Sequence, residues 1–163
     1  MKQELKNAYE KISTGTELRA GLIEIKNLLK EEKNRRELAY QLGGDFKVLT
    51  RCLSDGDPKV RKNAALVLGA MESDDLVRVL LNAYKKEDTL FVKSAYLKAL
   101  LDLDYEEELP YLKERLQELD QEPVTEANQK HIREEAGMLQ QLISQKEKRK
   151  KHTFDGFDRQ VEV

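Results

Sequence analysis

Tryptophan is absent, proline occurs three times, cysteine once, and aromatic residues make up only 6% of the 163 positions. With three prolines and eight glycines there is little material for the many tight turns of a sandwich or barrel. The lone Cys52 has no intrachain partner for a disulfide. Its place between Leu49 and Leu53 in an apolar helical pattern reads as a buried free thiol in a reducing compartment. No apolar run is long enough to span a bilayer, and the opening MKQELKNAYEK has no apolar stretch. A cytoplasmic protein without disulfide or membrane insertion is expected. An excess of one charge is missing too: 29 Lys and Arg against 31 Asp and Glu give a formal charge of -2. The whole molecule therefore has no general attraction for nucleic acid or an acidic membrane, and such binding needs a local patch.

What the chain does have is Leu, Ala, Glu and Lys arranged at helical spacing, with 39% hydrophobic and 37% charged residues. That is enough for one domain and a tail, with the helical domain expected over 1–143 and the tail over 144–163. Apolar stripes recur at Leu5–Ile12, Leu18–Leu29, Leu38–Leu42, Phe46–Leu53, Val60–Met71, Leu76–Tyr84, Val92–Leu103, Leu109–Leu119 and Ile132–Ile143. Between them stand breaks and caps. Thr16 and Thr125 are candidate caps, Gly43 and Gly44 break a helix, Ser73 with Asp74 and Asp75 starts one, and KKEDT at 85–89 separates two more. Pro110 fits only a first turn.

The best specified stretch is DPKVRKNAALVLGAM at 57–71. Asp57 can accept bonds from the free amides of the helix it precedes, and Pro58 takes the first helical position, where its missing N–H costs nothing. Alternate helices share a beginning, an aliphatic residue followed by a cation: Leu18-Arg19, Val60-Arg61, Val92-Lys93 and Ile132-Arg133. The separations of 42, 32 and 40 residues make this a loose repeat of a helix pair in which each pair covers its neighbour's apolar face.

LSDGDPKVRKNAALVLGAM resembles the second helix and preceding turn of a HEAT repeat, in the short form also found in the HEAT-like bilin lyases. The match lies at Asp57, Pro58, Val60, Arg61, Ala64, Ala65, Leu68 and Gly69. It weakens at 87–101, where Asp-Pro is missing and Tyr96 replaces a small residue, and again at 16–29 and 129–143. The resemblance implies an all-α fold, a right-handed α-α superhelix of antiparallel helix pairs. It also implies that Asp57 and Arg61 help join successive repeats, and that the inner helices bind protein or nucleic acid. It implies no substrate.

Chemistry-bearing motifs are lacking. There is no GxGxxG or GxxxxGK[ST], and Gly43-Gly44 is not preceded by a strand. His131 and His152 stand apart without cysteine partners, so no metal or cofactor is expected. Asp55, Asp57, Asp74, Asp75, Glu107 and Glu108 all fall near helix starts, where capping accounts for them. No catalytic residue is assigned. Stacked repeats would align Arg19, Arg61, Lys93 and Arg133, either as a positive ridge for phosphate or acidic peptide, or as an internal ladder. The ladder, built on Asp57, Arg61, Lys93 and Arg133, is the expected arrangement.

The end of the chain, QKEKRKKHTFDGF at 145–157, gathers Lys146, Lys148, Arg149, Lys150 and Lys151 ahead of Phe154 and Phe157. Such a cluster suits a nucleic-acid backbone and stacked bases, or simply a solvated helix end. Val161 and Val163 alternate as in a short strand, which leaves open an amino-terminal module of a longer, nucleic-acid-modifying protein. Three functional readings follow: a protein-interaction scaffold first, a nucleic-acid (RNA) binding module second, and a bilin-lyase-like small-molecule enzyme third.

Overall fold

The computed structural model describes the backbone of residues 2–103 and 109–162; the side chains of Lys146 and of residues 149–162 lie outside the described set. The chain divides into two compact units, Met1–Asp104 and Tyr105–Val163. Among the described residues the regular structure is entirely helical.

In the first unit, α1 (Gln3–Thr14) and α2 (Leu18–Leu28) form the first pair. The turn between them depends on Gly15, whose φ of 73° is left-handed and lets its N–H reach the Ile12 carbonyl. Thr16 is not the cap of α2. Glu17 holds that position, and the Thr16 hydroxyl pairs with Thr14 instead. Helix α3 (Glu32–Leu42) buries only Asn34 and Leu38 and ends at Gly43, with φ of 55°. The apolar run after it is shorter than a full helix: α4 (Lys47–Arg51) tightens into a 3-10 turn at Cys52–Ser54.

Helix α5 (Pro58–Ala70) packs on α2 on one side and on α7 (Leu90–Leu101) on the other, so α2, α5 and α7 form a row. Helix α1 backs α2, α4 with its 3-10 turn backs α5, and α6 (Val77–Lys86) backs α7. These are the helix pairs of an α-α stack. The insertion of α3 between α2 and α4 is why the first repeat separation is longer than the second.

Small residues let the row close up. A Cβ on Gly69 would sit 2.7 Å from both Cα and Cβ of Ala99, and one on Gly21 would sit 2.9 Å from the Ala8 carbonyl oxygen. Burial on both flanks explains why α7 is apolar nearly all round, with Val92, Ala95, Tyr96, Leu97, Ala99 and Leu100 all buried. Helix α6, lying on the outer layer, is amphipathic and buries Leu80, Leu81 and Tyr84.

In the second unit α8 (Leu109–Gln121) packs on α9 (Gln129–Glu162). Pro110 sits in the first turn of α8, where the helix asks for no bond from its missing N–H. Thr125 and Asn128 exchange bonds ahead of α9, Asn128 N–H to Thr125 Oγ1 at 3.2 Å and Thr125 N–H to Asn128 Oδ1 at 2.7 Å. A short strand near the end is overturned. The backbone stays helical through Glu162, running on without a break from the helix-forming stretch of Gln, Lys and Glu at 145–151. Val163 lies outside the described residues.

Candidate interaction face

The best specified helix start does what its residues suggest locally. Asp57 Oδ1 accepts the Lys59 N–H at 2.9 Å, and Asp55 Oδ2 accepts the Asp57 N–H at 2.9 Å. Arg61 folds back over this turn, donating Nη1–H to the carbonyls of Asp55 at 2.8 Å and Gly56 at 3.3 Å. Its other edge meets Glu87, with Nε to Oε1 at 2.9 Å and Nη2 to Oε2 at 3.0 Å, while Nη2 also reaches Thr89 Oγ1 at 3.4 Å. A guanidinium carries five N–H donors in a fixed fork, and five acceptors surround this one. Arg61 therefore joins two successive helix starts and offers nothing further to a ligand.

Glu87 is the partner that sequence reading passed over as part of a separator. Its Oε2 also accepts the amides of Asp88 and Thr89, each at 3.1 Å. Burial pushes its pKa up, but the Arg61 bonds and these two amides outweigh burial and hold the carboxyl below its usual range. A signal was present. Asp55 stands six residues before Arg61 and Glu87 six before Lys93, and each carboxylate accepts the amide two residues on.

Lys93, at the matching position of α7, is 8% exposed. Its Nζ lies 3.5 Å from the Tyr84 carbonyl and 4.9 Å from the Tyr84 ring centroid, so it serves the carbonyl end of α6. Arg133 does not continue the series: its side chain is exposed on α9. The bidentate cation of the second unit comes from the other helix of the pair. Arg115 on α8 meets the fully buried Glu135 on α9, Nε to Oε1 at 2.9 Å and Nη2 to Oε2 at 3.2 Å. Arg19, also in the series, is exposed on α2.

Other sequence candidates are dispersed. Cys52 is buried, with Sγ 3.5 Å from the Val48 carbonyl, and burial pushes its thiol pKa up. His131 is half-buried, its Nδ1 4.0 Å from Glu134. No group of three His, Cys, Asp or Glu suited to a metal occurs among the described residues. Glu107 and Glu108, like the side chains of Lys146, Arg149, Lys150, Lys151, His152, Phe154 and Phe157, lie outside the described set. Lys148 is exposed. An open groove of about 550 Å³ between the 3-10 turn and α6 is lined by Leu53, Val79, Ala83 and Tyr96, and its charged floor is the Arg61–Glu87 pair itself.

The row α2, α5, α7 carries a different set of cations. Lys26 on α2 donates to Asn63 Oδ1 on α5 at 3.0 Å, crossing from one repeat to the next. Asn63 is held in turn by its Nδ2–H bond to the Lys59 carbonyl at 2.8 Å. Partial burial lowers the pKa of Lys26 first, and the charges of Lys62, Lys30 and Lys98 lower it further. No carboxylate stands within ion-pair distance of any of these four lysines among the described residues. Ile23, 36% exposed, lies one turn before Lys26 on α2. This arrangement offers electrostatic attraction with an aliphatic contact beside it, and no nucleophile.

The model for HEAT repeats matches residues 46–130, just over half of the chain, and spans α4 through the start of α9. The chain belongs to the HEAT-repeat family. No curated protein and no solved structure matches it. The family assignment agrees with the helix pairs seen within each unit, and the resemblance carried by Asp57–Met71 is one part of a longer match. Among the described residues no helix is long and apolar enough to cross a membrane.

Proposed function

We propose that this HEAT-repeat protein is a non-catalytic scaffold that binds a protein partner along the open face of the row α2, α5, α7. The observation that carries this reading is a division of labour among cations. Arg61 and Lys93 are engaged inside the stack, where they brace the row, while Lys26, Lys30, Lys62 and Lys98 have no carboxylate within ion-pair distance among the described residues. A stiff row with an unbalanced face suits binding, in which affinity comes from a few anchors within a charged surround. In this reading the interacting repeats lie within residues 1–143, the basic segment from 144 onward prolongs α9, and the protein works in the cytoplasm.

Capture from nuclease-treated extract tests it, using the full chain and a chain lacking 144–163. A defined protein retained by both, and lost when the lysines of the row are reversed in charge, supports the scaffold. Retention of nucleic acid that depends on 144–163, with no retained protein, replaces it with the nucleic-acid reading.

A further inference from the structure

Resting on the scaffold reading, the next step concerns what the partner presents. The geometry points to an acidic peptide segment, bearing one aliphatic or aromatic residue among its carboxylates, as the occupant of the Lys26, Lys30, Lys62 and Lys98 face.

Four features of the molecule carry this. Lys26, Lys62 and Lys98 come from three helices that pack consecutively, Lys30 from the turn after the first of them, and the Lys26–Asn63 bond physically joins the first two. The Gly69–Ala99 contact draws the third against the second, with Lys98 adjacent to Ala99 in sequence. Several cations elsewhere are matched: Lys11 with Glu24 at 2.7 Å, Arg36 with Glu32 at 2.7 Å, Lys113 with Glu147 at 2.9 Å. On this face the nearest acids are marginal. Asp102 lies close enough to Lys98 and Glu72 to feel their charges, and Glu72 is itself 3.8 Å from Arg35.

Lys26 is half-buried and already in one hydrogen bond, so its ammonium is oriented before any partner arrives. Arg19, Ile23 and Lys26 follow at i, i+4 and i+7 and share one face of α2, with Lys30 in the turn just beyond its end, which places an aliphatic contact beside the cations.

The size of the patch decides between peptide and nucleic acid. Packed helices stand about 8–10 Å apart, so three of them set the cations over about 20 Å. A handful of carboxylates on an extended segment covers that length. A duplex, with a charge every ~1.7 Å, calls for a longer run of cations than these four lysines supply, on a chain whose acids outnumber its bases.

The test is fluorescence anisotropy on the full chain with a dye-labelled peptide of glutamates interrupted by one leucine. Its glutamine counterpart and a thymidine oligonucleotide of similar length serve as comparisons. The acidic peptide should bind and weaken with salt, and K26Q/K30Q/K62Q/K98Q should weaken it by about tenfold or more, whereas K6Q/K47Q/K113Q should not. Should the fourfold variant fail to fold by circular dichroism, K62Q/K98Q carries the test, since neither side chain makes a hydrogen bond among the described residues.

Equal binding of the acidic and glutamine peptides overturns the inference. So does unchanged binding by the lysine variants, or displacement of the peptide by the oligonucleotide at these lysines. A protein partner captured equally by the native chain and the lysine variants would leave the scaffold standing and remove the acidic segment, so the two readings fail separately.

Discussion

Arg61 and Glu87 lie fork to fork, Nε to Oε1 at 2.9 Å and Nη2 to Oε2 at 3.0 Å, and the pair joins the turn before α5 to the turn before α7. The side chain of Glu87 is 4% exposed and that of Arg61 18%. Two stacked repeats thus share one buried ion pair, which fixes their spacing through a geometry that a lysine could not reproduce.

Removing one partner strands the other. Arg61→Ala should destabilise the first unit by about 2–3 kcal/mol, because Glu87 would keep its amide bonds but lose its counter-charge, and water in the adjoining groove would soften that loss. Glu87→Gln should cost less, since a neutral amide still accepts one guanidinium bond. Urea unfolding of both singles and the double variant gives the coupling; additive losses would mean that the two residues act independently.

The same pair sets a pH dependence. Glu87 titrates below its ordinary 4.5 in the folded chain, so the unfolded chain takes up its proton first as pH falls. Its contribution is complete above the unfolded value and is lost as pH drops through the lower, folded value. Stability of the native chain should therefore fall more steeply below pH 4.5 than that of Glu87→Gln, with the two curves converging in acid. Thermal melts from neutral pH downward check this.

Two glycines should respond with opposite signs. Gly69→Ala would place a methyl 2.7 Å from the backbone of Ala99, which has no flexible end to move away, so overpacking of about 1–3 kcal/mol outweighs the gain in helix propensity. Gly137→Ala on α9 meets nothing within 4 Å and should stabilise its unit by up to about 1 kcal/mol. Melting of each variant followed by circular dichroism separates the two cases.

Much of the first unit could be read from periodicity, because α5 and its preceding turn satisfy several local demands at once: Asp57 as cap, Pro58 in the first turn, and small residues where α7 approaches. The failures have physical causes. Thr16 and Glu17 both follow a left-handed glycine, and composition does not reveal which of them closes the next helix. Glu87 was hidden because its role is defined by a partner 26 residues earlier in the chain. The lysine face was hidden for a related reason. Lys26, Lys62 and Lys98 fall at different offsets from the repeat starts, and only the stacking of α2, α5 and α7 brings them together. Repeat alignment finds residues that brace a solenoid more readily than those exposed for a partner.

That contrast yields a final prediction about the basic segment after residue 143. Lys148, Arg149, Lys150 and Lys151 belong to the second unit, whereas Lys26, Lys62 and Lys98 belong to the first. If binding of an acidic segment is local to the row, neutralising the four residues of the basic segment should change its affinity by no more than about twofold, because charges that do not pair with the bound segment contribute little at physiological salt. Neutralising Lys62 and Lys98 should weaken it severalfold in the same buffer. The reverse order, with the basic segment dominating and the row indifferent, would move the working surface of this HEAT-repeat protein to its last helix. Anisotropy titrations of the two variants side by side, at low and at physiological salt, decide between the two surfaces.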